Sequence, residues 1–270
     1  MSDSPVPAAL HSSQGAWVQL LLALTRREIL ARYQGALFGR LWLLLSPFLL
    51  LAVYTFVFGQ VLKSRWGTEQ STASFALTLF AGLLLHGMLA DSLSRAVTVM
   101  HNHRNQVKKL VFPLELLPLS LALSALSNAV IGFLVLLLLM PWLGQPLGWS
   151  ILYLPLVLLP FVLCVCGLSW IIAVFGAYFR DTSQFIQFLL VLLLFLSPVF
   201  YPVSALPEAL RPYLLLNPLS VPVEAVRACL FGMPMPPMGV QLAYAAIACL
   251  LAVLGWLWFR RMKDGFSDVL

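Results

Sequence analysis

"LLPLSLALSALSNAVIGFLVLLLLMPWLGQPLGWSILYLPLVLLPFVLCVCGLSWIIAVFGAYF" occupies residues 116–179 and carries no charged side chain. As a single helix these 64 residues would extend roughly 96 Å, about three times the ~30 Å thickness of a bilayer's hydrocarbon core. The run must therefore fold back once. The break falls at "MPWLGQPLGW" (140–149), where Pro141, Gly144, Pro146 and Gly148 punctuate it and Trp142 and Trp149 suit a membrane–water boundary. Two spans follow, over 119–140 and 151–176.

Composition extends this reading to the whole chain. Of 270 residues, 61% are hydrophobic and 10% charged, with mean hydropathy +0.95, whereas soluble domains are about 25% charged. The expected fold is an all-α integral membrane protein forming a single domain over 1–270. Leu41–Leu62 is uncharged between Arg40 and Lys63, and Gln70–Ala90 between Glu69 and Asp91, each close to the ~20 residues a span requires. Spans one and two are placed at 41–62 and 74–97. A fifth lies at 184–201 and a sixth at 241–259, the last closed by "RRMK". The net charge of +6 and pI of 9.4 come from bases at the edges of apolar runs, where anionic headgroups lie, which favours a membrane surface over nucleic acid.

Six spans put both termini on one side. Arg26, Arg27, Arg32, Arg40, Arg95, Arg104, Lys108, Lys109, Arg180, Arg260, Arg261 and Lys263 fall on that side, against Lys63, Arg65, Arg211 and Arg227 opposite. The bias makes both termini cytoplasmic. The opening "MSDSPVPAALHSSQG" has no basic residue, so the first span is expected to remain uncleaved.

Two segments are neither spans nor plain loops. Residues 10–34 gather Trp17, Leu20, Leu21, Leu24 and Ile29 with bases toward the C-terminal half, the pattern of an amphipathic helix lying in the cytoplasmic interface. Residues 204–237 are rich in proline yet too apolar for a solvated loop, which suggests short, partly buried or re-entrant helices on the outer side between spans five and six. Within it Asn217 can cap a helix with Pro218 at its first position and Gly232 at its end.

Few residues suggest chemistry. Asp91 and Arg95 have the i, i+4 spacing of an ion pair, either a clasp at a helix end or a substrate contact. His86 is the only ionisable residue deep within a span, either a hydrogen-bonded interhelical residue or a proton relay. Cys164, Cys166 and Cys249 sit in apolar runs and Cys229 in an expected exposed loop, so neither a disulfide framework nor a metal site is indicated. No GxxxxGK[ST] phosphate loop occurs, and the acids are scattered, so neither nucleotide hydrolysis by a P-loop nor another catalytic constellation is expected, and no cofactor. The cytoplasmic loop 101–118, "HNHRNQVKKLVFPLELLP", sets cations before Leu110, Val111 and Phe112, then Pro113 as a helix start with Glu115 in the first turn. Such a loop either docks on a partner or rests on anionic lipid.

Three blocks carry a resemblance: "LTRREILARYQGALFGRLWLLLSPFLLLAVYTFVFGQVL" (24–62), "NQVKKLVFPLELLPLS" (105–120) and "YFRDTSQFIQFLLVLLLFLSPVFYPVSALPEALRPYLLLNPLSVPVEAVRACLFG" (178–232). In order and spacing they resemble the type-2 ABC exporter permeases that move polysaccharides, of the O-antigen and teichoic-acid branch (Wzm/TagG type). The resemblance implies a homodimer in a bacterial inner membrane, joined to two copies of a separate ATPase that binds the ATP and Mg. Residues 104–116 would then be the coupling helix, with Arg104, Lys108, Lys109, Phe112, Pro113 and Glu115 as contacts. Residues 32–40 would be a cytoplasmic gate, where Arg32 and Arg40 receive the diphosphate of a polyprenyl-linked glycan and Tyr33 the first sugar; guanidinium groups bind phosphate through paired hydrogen bonds. Trp42, Tyr54, Phe56, Phe58, Phe195, Phe200 and Tyr201 would offer sugar-stacking faces along a channel, and 204–237 would close it outside. A capsule or teichoic-acid exporter, a drug or lipid efflux permease, a passive channel and a glycolipid transferase are the competing readings.

Overall fold

The computed structural model describes residues 14–32, 34–35, 37–57, 72–107 and 112–269, with the side chains of residues 14, 40, 72, 73, 204, 267 and 268 excepted. Among them every regular element is helical. In chain order the α-helices are α1 (Gln14–Ala31), α2 (Trp42–Tyr54), α3 (Thr72–Asn102), α4 (Arg104–Val107), α5 (Leu116–Leu139), α6 (Leu154–Tyr178), α7 (Thr182–Phe195), α8 (Arg211–Leu214), α9 (Ser220–Phe231), α10 (Met238–Met262) and α11 (Phe266–Val269).

Four helical stretches among the described residues are long and apolar enough to cross a membrane: Ser74–Asn102, Leu116–Leu139, Trp149–Tyr178 and Met238–Gly265. The charge-free run folds back where expected. Gly144 takes a left-handed conformation (φ 75°), its N–H donates to Pro141 O at 3.1 Å, and Trp142 and Trp149 stand exposed. α3 is the core of the bundle, packed by α5 and α6, while α10 lies along the outside of α6. Gly167 of α6 and Gly255 of α10 face each other so closely that a methyl group on either would overlap the opposite backbone, and Gly176 meets Val97 of α3 in the same way. Small residues at such crossings let helices approach in a lipid environment, where packing rather than exclusion of water drives association.

Span five is shorter than expected, and span one is described only in part. Apolar helix is described over Trp42–Val57 in the first, and the rest of that span, with Phe58, lies outside the described residues. The fifth corrects the expectation of 184–201: α7 ends at Phe195, because Ser197 precedes Pro198, which disfavours continued helix in the residue before it. Its 14 residues measure about 21 Å, and Phe200 and Tyr201 lie beyond it in a turn.

Opposite the basic end, α9 begins at Ser220, two residues after Pro218, and ends at Gly232 with φ 65°. Asn217 does not cap it with Pro218 at the first position: the cap position is Leu219, without a side-chain cap bond, and Asn217 instead shapes the turn before the helix, accepting from Leu219 N–H at 3.0 Å while its amide donates to Leu193 O at 2.8 Å. Cys229, expected in an exposed loop, is instead buried on α9.

Candidate functional site

The C-terminal half of α1 lies across the basic end of the bundle and meets α3 there through charged side chains. The spacing of Asp91 and Arg95 predicted one ion pair along α3; the structure divides the two between partners. Arg32 Nη2 donates to Asp91 Oδ2 at 2.6 Å, and Arg95 Nη2 donates to Glu28 Oε2. Each carboxylate of α1 or α3 thus meets a guanidinium of the other segment, and the pairs tie the N-terminal helix to the central one. Arg27 joins the edge of the cluster, donating to His103 Nε2 at 2.6 Å, while His103 Nδ1 lies 3.0 Å from Val99 O. The Arg32–Asp91 pair is about a quarter exposed on each side, so water and ions reach it.

Two cavities meet at Arg32. One, about 380 Å³, is lined by Glu28, Ala31, Arg32, Asp91 and Arg95. The other, about 400 Å³, runs between α2, α3 and α5, with Trp42, Ser46, Pro47, Leu50, Phe80 and Leu84 among its walls and Arg32 at its charged end. The arrangement can hold an anion beside an apolar body. Trp42, named with the aromatic set, is therefore a wall of this cleft, steadied by edge-on contact with Phe38 at 5.8 Å. Tyr33 lies outside the described residues, as does the side chain of Arg40.

The remaining aromatics fall into two groups. Tyr54 and Phe56 sit at the far end of α2, Phe56 exposed. Phe195 and Phe200 stack at 5.5 Å near the end of α7, and Tyr201 Oη donates to Phe195 O at 3.1 Å. α2 packs on α3 and α5, whereas α7 packs on α3 and α6, so the central helix separates the two groups within one chain.

The loop 101–118 is partly described. α3 ends at Asn102, Arg104 opens the single turn α4 and is exposed, and Lys108 and Lys109 lie outside the described residues. Pro113 does not start the helix as expected. Leu116 N–H donates to Pro113 O and Leu117 N–H to Leu114 O, both at 3.1 Å, so the proline opens a pair of tight turns and α5 follows at Leu116. Phe112 and Pro113 are half-buried. Glu115 is buried, and its carboxylate accepts from Lys263 Nζ at 2.9 Å and faces Arg260 Nε at 3.8 Å, while its carbonyl accepts from Trp170 Nε1 at 3.0 Å. The end of α10 thus braces the loop, a contact across 148 residues that no local spacing encodes.

His86 Nε2 lies 3.1 Å from Leu190 O, an interhelical contact between α3 and α7. The residue that sequence reasoning passed over is Arg227. It is 2% exposed and donates to three carbonyls: Thr78 O at 3.1 Å, Val199 O at 2.8 Å, and Pro198 O. Burial pushes its pKa down and Glu224, one turn away, pushes it back up. The available signal was a charge pair within the otherwise apolar Val221–Leu230.

Relatives place this geometry in context. The chain is 29% identical to the O-antigen export system permease protein RfbA of Myxococcus xanthus, over 92% of this chain and 94% of that protein. It is 24% identical to the RfbA of Klebsiella pneumoniae, over 95% and 96%. The capsule polysaccharide export inner-membrane protein CtrC of Neisseria meningitidis serogroup A is 26% identical over 78% of each. Residues 19–231 match the ABC-2 type transporter family, a stretch running from α1 to the end of α9, and the chain belongs to that family.

Proposed function

We propose that this chain is the membrane subunit of an ATP-driven exporter that moves a polysaccharide linked to polyprenyl diphosphate, such as O-antigen, across the inner membrane of a bacterium. The observation that carries the reading is similarity to O-antigen export permeases over 92% and 95% of the chain, which leaves no sizeable part without a counterpart. The similarity to CtrC over 78% of the chain favours capsule polysaccharide as the second reading.

The rest of the reading is consistent with the fold. The short helices Trp42–Val57 and Thr182–Phe195 join the four long ones to make six spans, and the basic bias sets both termini in the cytoplasm. The exposed apolar faces of α2 (Leu44, Val53, Phe56) and α7 (Phe185, Phe188, Phe195) support a homodimer in which the two aromatic groups, apart in one chain, line a shared path. Arg104, Lys108, Lys109, Phe112 and Pro113 meet a separate ATPase in two copies, which binds the ATP and Mg; Glu115, held by Lys263, sets the loop's posture. The outer segment 204–237 closes the path.

Mass spectrometry of cells lacking the chain tests this. Long polyprenyl-diphosphate-linked glycans should accumulate on the cytoplasmic side, and the intact gene should clear them while a Lys108→Ala, Lys109→Ala, Phe112→Ala variant does not. No accumulation, with surface polysaccharide unchanged, would sink the reading.

A further inference from the structure

Among the four long helices α10 is the least buried, with only Ala248, Gly255 and Phe259 fully enclosed along it. The middle of its face toward α6 is small, formed by Ala248, Ala252 and Gly255, and Gly255 meets Gly167 backbone to backbone. A face without large interlocking side chains lets a packed helix slide or tilt at little cost.

The directional attachments of α10 lie at its ends. At the inner end Lys263 Nζ donates to Glu115 Oε1 at 2.9 Å. In the turn that follows, Phe266 is fully buried, with the rings of Tyr178 and Phe259 5.7 and 5.5 Å away, and Tyr178 Oη donates to Met262 O at 3.0 Å. These residues belong to a second apolar core at the basic end, which also takes Val107 and Leu114 from the two described sides of the loop 101–118. At the outer end Tyr244 Oη donates to Pro218 O at 2.9 Å and also meets the Cys164 thiol. Pro218 sits in the turn before α9, whose Asn217 reaches Leu193 O of α7. Tyr244 and Lys263 stand about 28 Å apart along the helix axis, close to the ~30 Å of a hydrocarbon core.

We propose that α10 is a strut carrying displacement of the loop 101–118 to the outer turn at Asn217–Pro218, with Lys263 and Tyr244 as the positioning residues at its two ends. This rests on the exporter reading above, which makes that loop the ATPase contact, and adds the route from the loop to the outer side. The loop also joins α3 to α5, but those helices hold Leu77, Phe80, Leu85, Phe133 and Leu136 in the bundle core. Moving either would disturb close packing, whereas α10 moves on a smooth face with lipid behind it. Backbone hydrogen bonds along every turn make a helix of 25 residues stiff enough to act as one body. Arg227 fixes α9 to α3, so displacement at Pro218 passes to the exposed segment 205–216 and, through Asn217, to α7.

Hydrogen exchange on the full chain in nanodiscs, together with the ATPase that copurifies with it, tests this with and without ATP and vanadate. Trapping nucleotide on the ATPase should change exchange at the amides of Leu206, Leu210, Leu215, Leu216 and Asn217 about tenfold, within the range for coupled sites. Lys263→Met and Tyr244→Phe should each cancel that change while nucleotide is still trapped. Tyr244→Phe removes one oxygen and keeps the ring, so the fold is spared. Lys263→Arg keeps the ion pair and should keep the response, as should Leu250→Ala on the lipid face of α10. A response that survives both Lys263→Met and Tyr244→Phe overturns the strut. So does a response that falls only in proportion to the nucleotide trapped, which would make Lys263 a brace of the loop alone. Trapped nucleotide with no response at 206–217 in the unaltered chain overturns the strut and leaves the exporter reading standing. A chain that copurifies with no ATPase overturns both.

Discussion

Arg227 and Arg32 sit at opposite ends of the same bundle and show two uses of one side chain. Arg227 is 2% exposed and bound to three backbone carbonyls, acceptors that cannot swing away because two belong to the Pro198–Val199 turn and the third to α3. Arg32 is a quarter exposed and holds one carboxylate, an acceptor on a flexible side chain that water or another anion can replace. The first ties the end of α7 and α9 to the central helix. The second is an exchangeable contact at a cavity mouth. A fixed partner set marks structure, and a replaceable partner beside open space is what the proposed binding role of Arg32 would need. Part of the expected outer gate is consequently anchored: α9 is pinned by Arg227, while 205–216 is largely exposed.

The largest predicted effect falls on the fixed arginine. Arg227→Leu leaves three buried carbonyls without a donor and Glu224 without its counter-charge, a loss of about 3–5 kcal/mol. Thermal unfolding in detergent should show a large drop in Tm, and an unchanged Tm would end the contrast. Arg227→Lys keeps the charge, but one ammonium cannot reach carbonyls spread over two elements, so a loss of about 1–3 kcal/mol is expected. Gly82→Ala probes the same anchor from outside. Its new methyl would stand 3.1 Å from Arg227 Nη2 and 3.2 Å from a Val199 methyl, crowding that costs about 1–3 kcal/mol, while the gain in helix propensity returns about 1. The net loss should be smaller than for Arg227→Lys, and a stabilised Gly82→Ala protein would show that the anchor yields.

How far the sequence shows this depends on the range of the information. The hairpin at 140–149, the helix over Gln14–Ala31 and the four long apolar helices follow from local composition, since hydropathy and proline placement act within a few residues. The end of α7 was also local, at Ser197–Pro198, but an uncharged run extending to Tyr201 hid it. The ion pairs were not local. Asp91 and Arg95 satisfy the i, i+4 rule, yet their partners stand 59 and 67 residues away, and a helix face gives no notice of which neighbour will offer a better acceptor. Arg227 read as an outer cation because positive-inside counting treats every base as solvated. Its burial follows from carbonyls left open at the Pro198–Val199 turn, which exist only once the chain is folded. The hold of Lys263 on Glu115, across 148 residues, was hidden for the same reason.

The smallest stability effect belongs to Arg32, the residue on which the proposed function leans hardest. A pair a quarter exposed and solvated on both sides contributes about 0.2–1 kcal/mol, so Arg32→Gln and Asp91→Asn should each shift Tm little. Arg32→Gln should nevertheless abolish clearance of lipid-linked glycan, because a neutral amide cannot replace a guanidinium on a phosphate. A double-mutant cycle on the two residues separates these roles. Coupling in unfolding should stay below about 1 kcal/mol, as for other exposed pairs, while in diphosphate binding the Asp91 change gains affinity only when Arg32 is present to be released. Coupling of several kcal/mol in unfolding would instead place Arg32 beside Arg227 as a structural tie, and the open space next to it would then need a different explanation.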